Sequence, residues 1–391
     1  MKKLFKKFFA VMLAAFIFVP GVSLSYADSV TDKYVANLQK IYEWKGVDSV
    51  SNLKCGFSTT GVTNLDDMSL LLNIKVDGNS SLKPVSSKIN MDIDINASGA
   101  LKNMLGSSIK LSDIKIYTDE NSNIYINKDA VNTFLKLSGS TQQIKEDYVK
   151  LTMPEESAAL MPVLKSNPQK IFNAVAEFLK NTEFLSAFNI NEQNGVYSAN
   201  MNASQIVDMI DYFIKYTLNN FNVFLDFYKA IGIDYIANIN KTYAAVGMPA
   251  ITEQQMIDQL KSQYNSYVEA SAQYLPLIKD VLKGSSLTFK KDFSSANYYS
   301  EYSKLNLNIN FNELQKSELG KNISPAAAGN ISIVIETSGS SIRNDYQDIS
   351  MPYKAKEVNL DELMASETKV TETQNIQDAQ EQPVENTAET K

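Results

Sequence analysis

The sequence predicts an α+β fold, a curved antiparallel sheet packed on long amphipathic helices from the middle of the chain. Three observations predict it. Apolar residues recur with period two from Ser49 to about Met153, with period three to four from Pro154 to about Gly284, and with period two again from Ser285 to about Ile349. Strands, then helices, then strands argue for one domain at residues 28–364 whose sheet is completed from both ends. Two separate domains are the alternative division.

The first 27 residues read as a secretory signal. Lys2, Lys3, Lys6 and Lys7 precede an apolar run from Phe8 to Val19, then Pro20 and the small-residue pattern Ser25-Tyr26-Ala27. Cleavage is expected after Ala27, which makes the protein secreted or extracytoplasmic. No cysteine follows in a lipobox position. Residues 28 to about 45 form an amphipathic helix with Val30, Tyr34, Leu38 and Ile41 on one side, and Trp44 is expected to anchor its end.

The strands come next. Leu70, Leu72, Ile74 and Val76 alternate with other residues until Asp77-Gly78-Asn79, a turn signal. Ile89, Met91, Ile93, Ile95 and Ala97 alternate with Asn90, Asp92, Asp94 and Asn96, the pattern of a strand buried on one face. Strands at Ile109 to Tyr117 and Ile124 to Ile126 flank the polar turn Asp119 to Asn123, and Val149 and Leu151 mark another.

In the helical block, Asn167 and Pro168 open a helix carrying Ile171, Val175, Phe178 and Leu179. A hairpin from Phe184 to Met201 turns at Asn194-Gly195. The stretch Ser204 to Gly232 then reads as one helix, about 40 Å long at 1.5 Å per residue. Ile206, Ile210, Phe213, Thr217, Phe221, Phe224, Tyr228 and Ile231 form its apolar stripe, and either Ser204 or Asn202 caps its start. Its charges exclude a membrane span. Thr252 and Gln255 form a capping box for another helix, which Pro276 should kink or end. Strands at Leu287 to Phe289, Leu305 to Phe311 and Ile331 to Ile335 close the sheet. Residues 365–391 contain no aromatic residue and many Glu, Thr, Gln and Asn, the composition of a disordered acidic tail.

Composition removes whole classes of function. There is no histidine, so Ser-His-Asp and Cys-His nucleophile systems, His-ligated zinc and imidazole bases are unavailable. The chain has 37 basic residues; without the four signal lysines, 33 face 44 acidic ones, a net charge of −11 that argues against nucleic acid as a partner. Cys55 is the single cysteine, so no intramolecular disulfide forms; a buried thiol is expected, with an intermolecular link as the alternative.

Motifs that would carry chemistry do not hold up. Asp119, Asn121 and Asn123 match the opening of a calcium loop, but Ile124 stands where glycine is needed and Ala130 where the bidentate glutamate is needed. Ser51/Lys54, Ser107/Lys110, Ser112/Lys115 and Ser366/Lys369 all have S-x-x-K spacing, without the S-D-N or K-T-G elements that give it meaning. Asp66-Asp67 and Glu155-Glu156 are sequence neighbours, which does not establish the separation of roughly 5 to 10 Å that a glycosidase pair needs. No catalytic residue, metal ligand or cofactor is assigned, and the chain reads as non-enzymatic. The 20 Tyr and 18 Phe suit either a large core or a cavity for an amphiphile, with phenols at its mouth. Such a cavity between sheet and helices would be lined by Ile206, Ile210, Phe213, Phe221, Phe224 and Tyr228 from the helix, and by Ile89, Met91 and Ile93 from the strand.

The order of elements, ending in Ile349-Ser350-Met351-Pro352-Tyr353, resembles the bacterial lipid-carrier fold of LolA and the mycobacterial LppX/LprG lipoproteins. Gly195-Val196-Tyr197-Ser198-Ala199-Asn200-Met201, leading into a helix, is similar to a strand-to-helix passage in those proteins. The resemblance spans about residues 30 to 355 and is architectural. It implies a half-barrel sheet around helices, with an apolar cavity that accepts a lipid or other hydrophobic small molecule. The missing lipobox cysteine and the long helical insert depart from that pattern. The alternative is a structural or interaction protein of the cell envelope with a filled core and a protein partner.

Overall fold

The computed structural model describes residues 29–359, apart from 64, 83–84, 122, 138–141, 153–167, 183–189, 324–327, 347–348 and 353. The expected signal segment and acidic tail lie outside the described residues, as does the Asn167 cap. Both strand blocks enter one mixed but mostly antiparallel sheet of twelve strands, which is not closed. In chain order these are β1 (Gly46–Thr60), β2 (Met68–Leu82), β3 (Val85–Gly99), β4 (Ser108–Thr118), β5 (Ile124–Asn127), β6 (Tyr148–Thr152), β7 (Asn191–Gln193), β8 (Val196–Asn202), β9 (Ser286–Asp292), β10 (Tyr298–Asn310), β11 (Asn330–Arg343) and β12 (Ala355–Asn359). Their spatial order is β12-β6-β5-β4-β3-β2-β1-β11-β10-β9-β8-β7, so β1 joins the two blocks by pairing with β2 on one side and β11 on the other.

The register turns the period-two pattern into two chemically opposite faces. One row runs Met201–Leu287–Leu305–Ile335–Cys55–Leu72–Ile95–Ile109, apolar across eight neighbouring strands. The row beside it, on the other face, runs Asn200–Thr288–Lys304–Glu336–Lys54–Asn73–Asp94–Lys110 and is polar throughout. Within it Lys304 and Glu336 form an ion pair at 3.2 Å.

Nine α-helices and one 3-10 segment (Phe311–Lys316) complete the described residues: α1 (Ser29–Tyr42), α2 (Ala100–Leu105), α3 (Lys128–Leu137), α4 (Pro168–Thr182), α5 (Ala203–Asn219), α6 (Phe221–Ala230), α7 (Tyr235–Ala245), α8 (Glu253–Val281) and α9 (Glu318–Ile323). None is long and apolar enough to cross a membrane. Trp44, 2 % exposed, seats the end of α1 as expected. In α1, Tyr34, Val35 and Leu38 pack with Phe172, Tyr197 and Phe293, and Tyr34 meets Tyr197 edge-on at 5.1 Å. The β7–β8 turn has Asn194 and Gly195 at φ 52° and 81°, the pair of positive angles that a two-residue hairpin turn requires.

Several expectations need correction. Ser204 to Gly232 is not one rod. Asn220 adopts φ −126°, ψ 36°, outside the helical region, and its N–H and Nδ2 both donate to the Tyr216 carbonyl, closing α5 before α6 begins. Asp77-Gly78-Asn79 is not a turn: β2 continues to Leu82, with Gly78 held between Ser49 and Ile89. Of the two outcomes expected at Pro276, an end is ruled out, since the helix runs on to Val281. The short helices α2 and α3 fall within the block read as strands. β12 pairs in parallel with β6 beyond the last expected strand.

Candidate functional site

Helices cover the apolar face at its two ends. On the β2–β6 side, Ala130, Val131 and Leu135 of α3 pack with Leu72, Ile74, Met91, Ile93, Leu111 and Ile114. On the β8–β10 side, Ile206 of α5 packs with Ala199, Met201, Leu287 and Leu305. Behind it α4 to α8 form their own apolar contacts. Leu179 sits among Phe178, Tyr212, Tyr216 and Phe224, and Phe221 and Leu225 pack with Ile257 of α8. An ion pair from Lys279 to Asp208, at 2.6 Å, ties α8 to α5.

Between these covers lie β11, β1 and the adjoining part of β2, where the face stays apolar and is only partly covered among the described residues. Along the eight-strand row, Met201 and Leu72 are buried, yet Ile335 at the centre is 39 % exposed. The next row, Leu307–Ile333–Phe57–Leu70–Ala97, has only Ala97 fully buried. Cys55 lies in this strip between Ile335 and Leu72, half-buried, and burial pushes its thiol pKa up. The result is a strip of partly exposed apolar surface between two helix-covered flanks, called the trough below.

The sequence matches no protein-family model, and no curated protein matches it.

The nine residues expected to line a cavity are not brought together in one place. Met91 and Ile93 share the cluster under α3, with Ile89 packed at its margin. Ile206 lies on β8–β10. Phe221 and Phe224 belong to contacts among α4, α5, α6 and α8, and Tyr228 packs near Ile231 and Ala174 and stacks on Tyr235 at 5.1 Å. Ile210 and Phe213 continue the Ile206 stripe at helical spacing and are 47 % and 44 % exposed. The trough floor itself, Phe57, Leu70, Leu307, Ile333 and Ile335, was missed. Its signal was present as alternation, but only the pairing of β1 with β11 shows that these residues adjoin one another.

Proposed function

We propose that this exported, non-enzymatic protein binds a lipid or similar amphiphile in the trough, with the sheet curving as a half-barrel around the helices. The observation that carries this reading is the exposure of Ile335 in a continuous apolar row, between buried Met201 on one side and buried Leu72 on the other. A sheet completed by its own helices would bury that centre most deeply. Exposed apolar surface bounded by covered flanks is the usual mark of a binding groove. Ile210 and Phe213, exposed on the helix stripe that begins on β8–β10, supply apolar surface for the second side of an acyl chain. The architectural resemblance to bacterial lipid carriers supports the same reading.

Native mass spectrometry of the protein purified without detergent, before and after organic extraction, tests it. An extractable lipid mass is expected. Cys55 provides a second readout because no other thiol competes. Maleimide labelling of the extracted protein should slow on adding oleate. A bare mass in both samples, together with labelling indifferent to oleate, would remove the proposal.

A further inference from the structure

The polar face of the sheet carries a basin of 630 Å³ over β1 to β4, opposite the trough and unused by the amphiphile reading. Its size falls within the range of small-molecule sites. The register fixes what it presents. Lys75 stands between Asn52 and Asp92, and Asp77 between Val50 and Asn90; Asn90 in turn faces Lys115. β4 bulges here, with Asp113 at φ 57° where Met91 and Ile93 pair with Ile114 and Leu111. A bulge bends and twists its strand, and Ser112 and Asp113 line the basin at this point.

Some of these groups are already satisfied. The Lys115 ammonium lies 3.0 Å from Asp113, and one oxygen of Asp92 accepts the Asp113 backbone N–H at 3.0 Å. Lys75, Lys88 and Asp77 are not: among the described residues none has an ion-pair partner within 4.0 Å. Asn90 Oδ1 is buried and accepts no hydrogen bond, although buried acceptors are nearly always paired. Among the described residues the basin therefore holds two cations, Lys75 and Lys88, and two anions, Asp77 and Asp92, without an ion-pair partner.

We infer that this basin binds a small zwitterion of the short-peptide class. Its carboxylate lies on Lys75 and its ammonium on Asp77, while Lys88, opposite Asn79, stands on the far side of Asp77. Three lysines and three aspartates balance in the lining, which disfavours a polyanion or polycation. Among the described residues no aromatic side chain lines it, so neither a nucleobase nor a sugar ring finds a stacking platform there. Lys75 and Asp77 are successive residues on this face, about 7 Å apart along the strand, and two or three peptide residues span roughly 7 to 10 Å.

Backbone-amide NMR of the full chain, titrated with triglycine and separately with its N-acetyl, C-amide derivative, tests the inference. Triglycine is expected to bind saturably with shifts on β1 to β4, and the capped peptide about tenfold or more weakly, since it lacks both charges. Asp77→Asn and Lys75→Gln should each weaken triglycine binding about tenfold while leaving the circular dichroism spectrum unchanged. No saturation by about 10 mM, shifts elsewhere, equal binding of the capped peptide, or binding indifferent to the substitutions would each overturn it. Because the basin and trough lie on opposite faces, loss of triglycine binding leaves the oleate response of Cys55 intact.

Discussion

Lys291 projects from β9 onto the apolar face and is 4 % exposed. Its ammonium lies 3.0 Å from Glu301 on the neighbouring strand and 5.7 Å from the ring centres of Phe289 and Tyr299. The Tyr299 hydroxyl also donates to Glu301. Removing one partner of such a pair leaves the other charge under apolar cover, so Lys291→Ala is expected to lower stability by about 3 kcal/mol. The double variant Lys291→Met/Glu301→Gln should recover most of that loss, with urea unfolding midpoints as the readout. In the sequence Lys290 and Lys291 look alike, and only the register decides which of them faces inward. Asp119 gives a pH-dependent counterpart. Burial raises its pKa, but hydrogen bonds from Asn123, Tyr125 and the Asn121 and Asn123 amides outweigh burial, so the net shift is downward. A carboxylate depressed in the folded state stabilises fully above its unfolded pKa, near 3.9, and that contribution is lost as pH falls through the folded value. Asp119→Asn should therefore lower the urea midpoint near pH 7 and flatten its decline below about pH 4.

At the element scale, α5 turns on which residue caps it. Asn202 Oδ1 accepts the Gln205 N–H at 3.1 Å while Gln205 Oε1 accepts the Asn202 N–H at 3.0 Å, a reciprocal capping box. Ser204, the other candidate in the sequence, lies inside the helix and reaches only Asp208, at 3.5 Å. Asn202→Ala is expected to cost about 1 kcal/mol and Ser204→Ala less than about 0.5 kcal/mol in thermal unfolding. Local patterns were legible where one interaction set the outcome, as with the Thr252–Gln255 box, the Asn194-Gly195 turn and the alternation from Ile89 to Ala97. They failed where a distant contact overrode a local preference. Gly78 reads as a turn but is flanked by paired strands on both sides. Asn220 breaks a helix whose apolar period continues across it, because the side chains beyond the break pack on α4, α7 and α8.

For the whole molecule, the one-sided strands and the meeting of two strand blocks were legible, but the position of the trough was not. Periodicity says that Ile93 and Ile335 each face an apolar side. Only strand order says that Ile93 lies beneath α3 while Ile335, among the described residues, lies beneath nothing comparable. The two should respond differently to the same change. Ile93→Glu is expected to cost more than about 4 kcal/mol, because it places a carboxylate in a closed core. Ile335→Glu should cost about 1 kcal/mol or less while abolishing the oleate effect on Cys55 labelling. The position of β1 also has a consequence for how the chain matures. β1 is among the first strands to emerge during synthesis, yet its partner β11 lies beyond the whole stretch from Thr60 to Asn330. Until that stretch has been made, β1 offers fifteen residues of unpaired, half-apolar edge, the kind of surface that recruits other chains. The central ladder thus sets a long interval of vulnerability between the first strand and the last of its neighbours, and a holding chaperone would have most to guard at β1 itself.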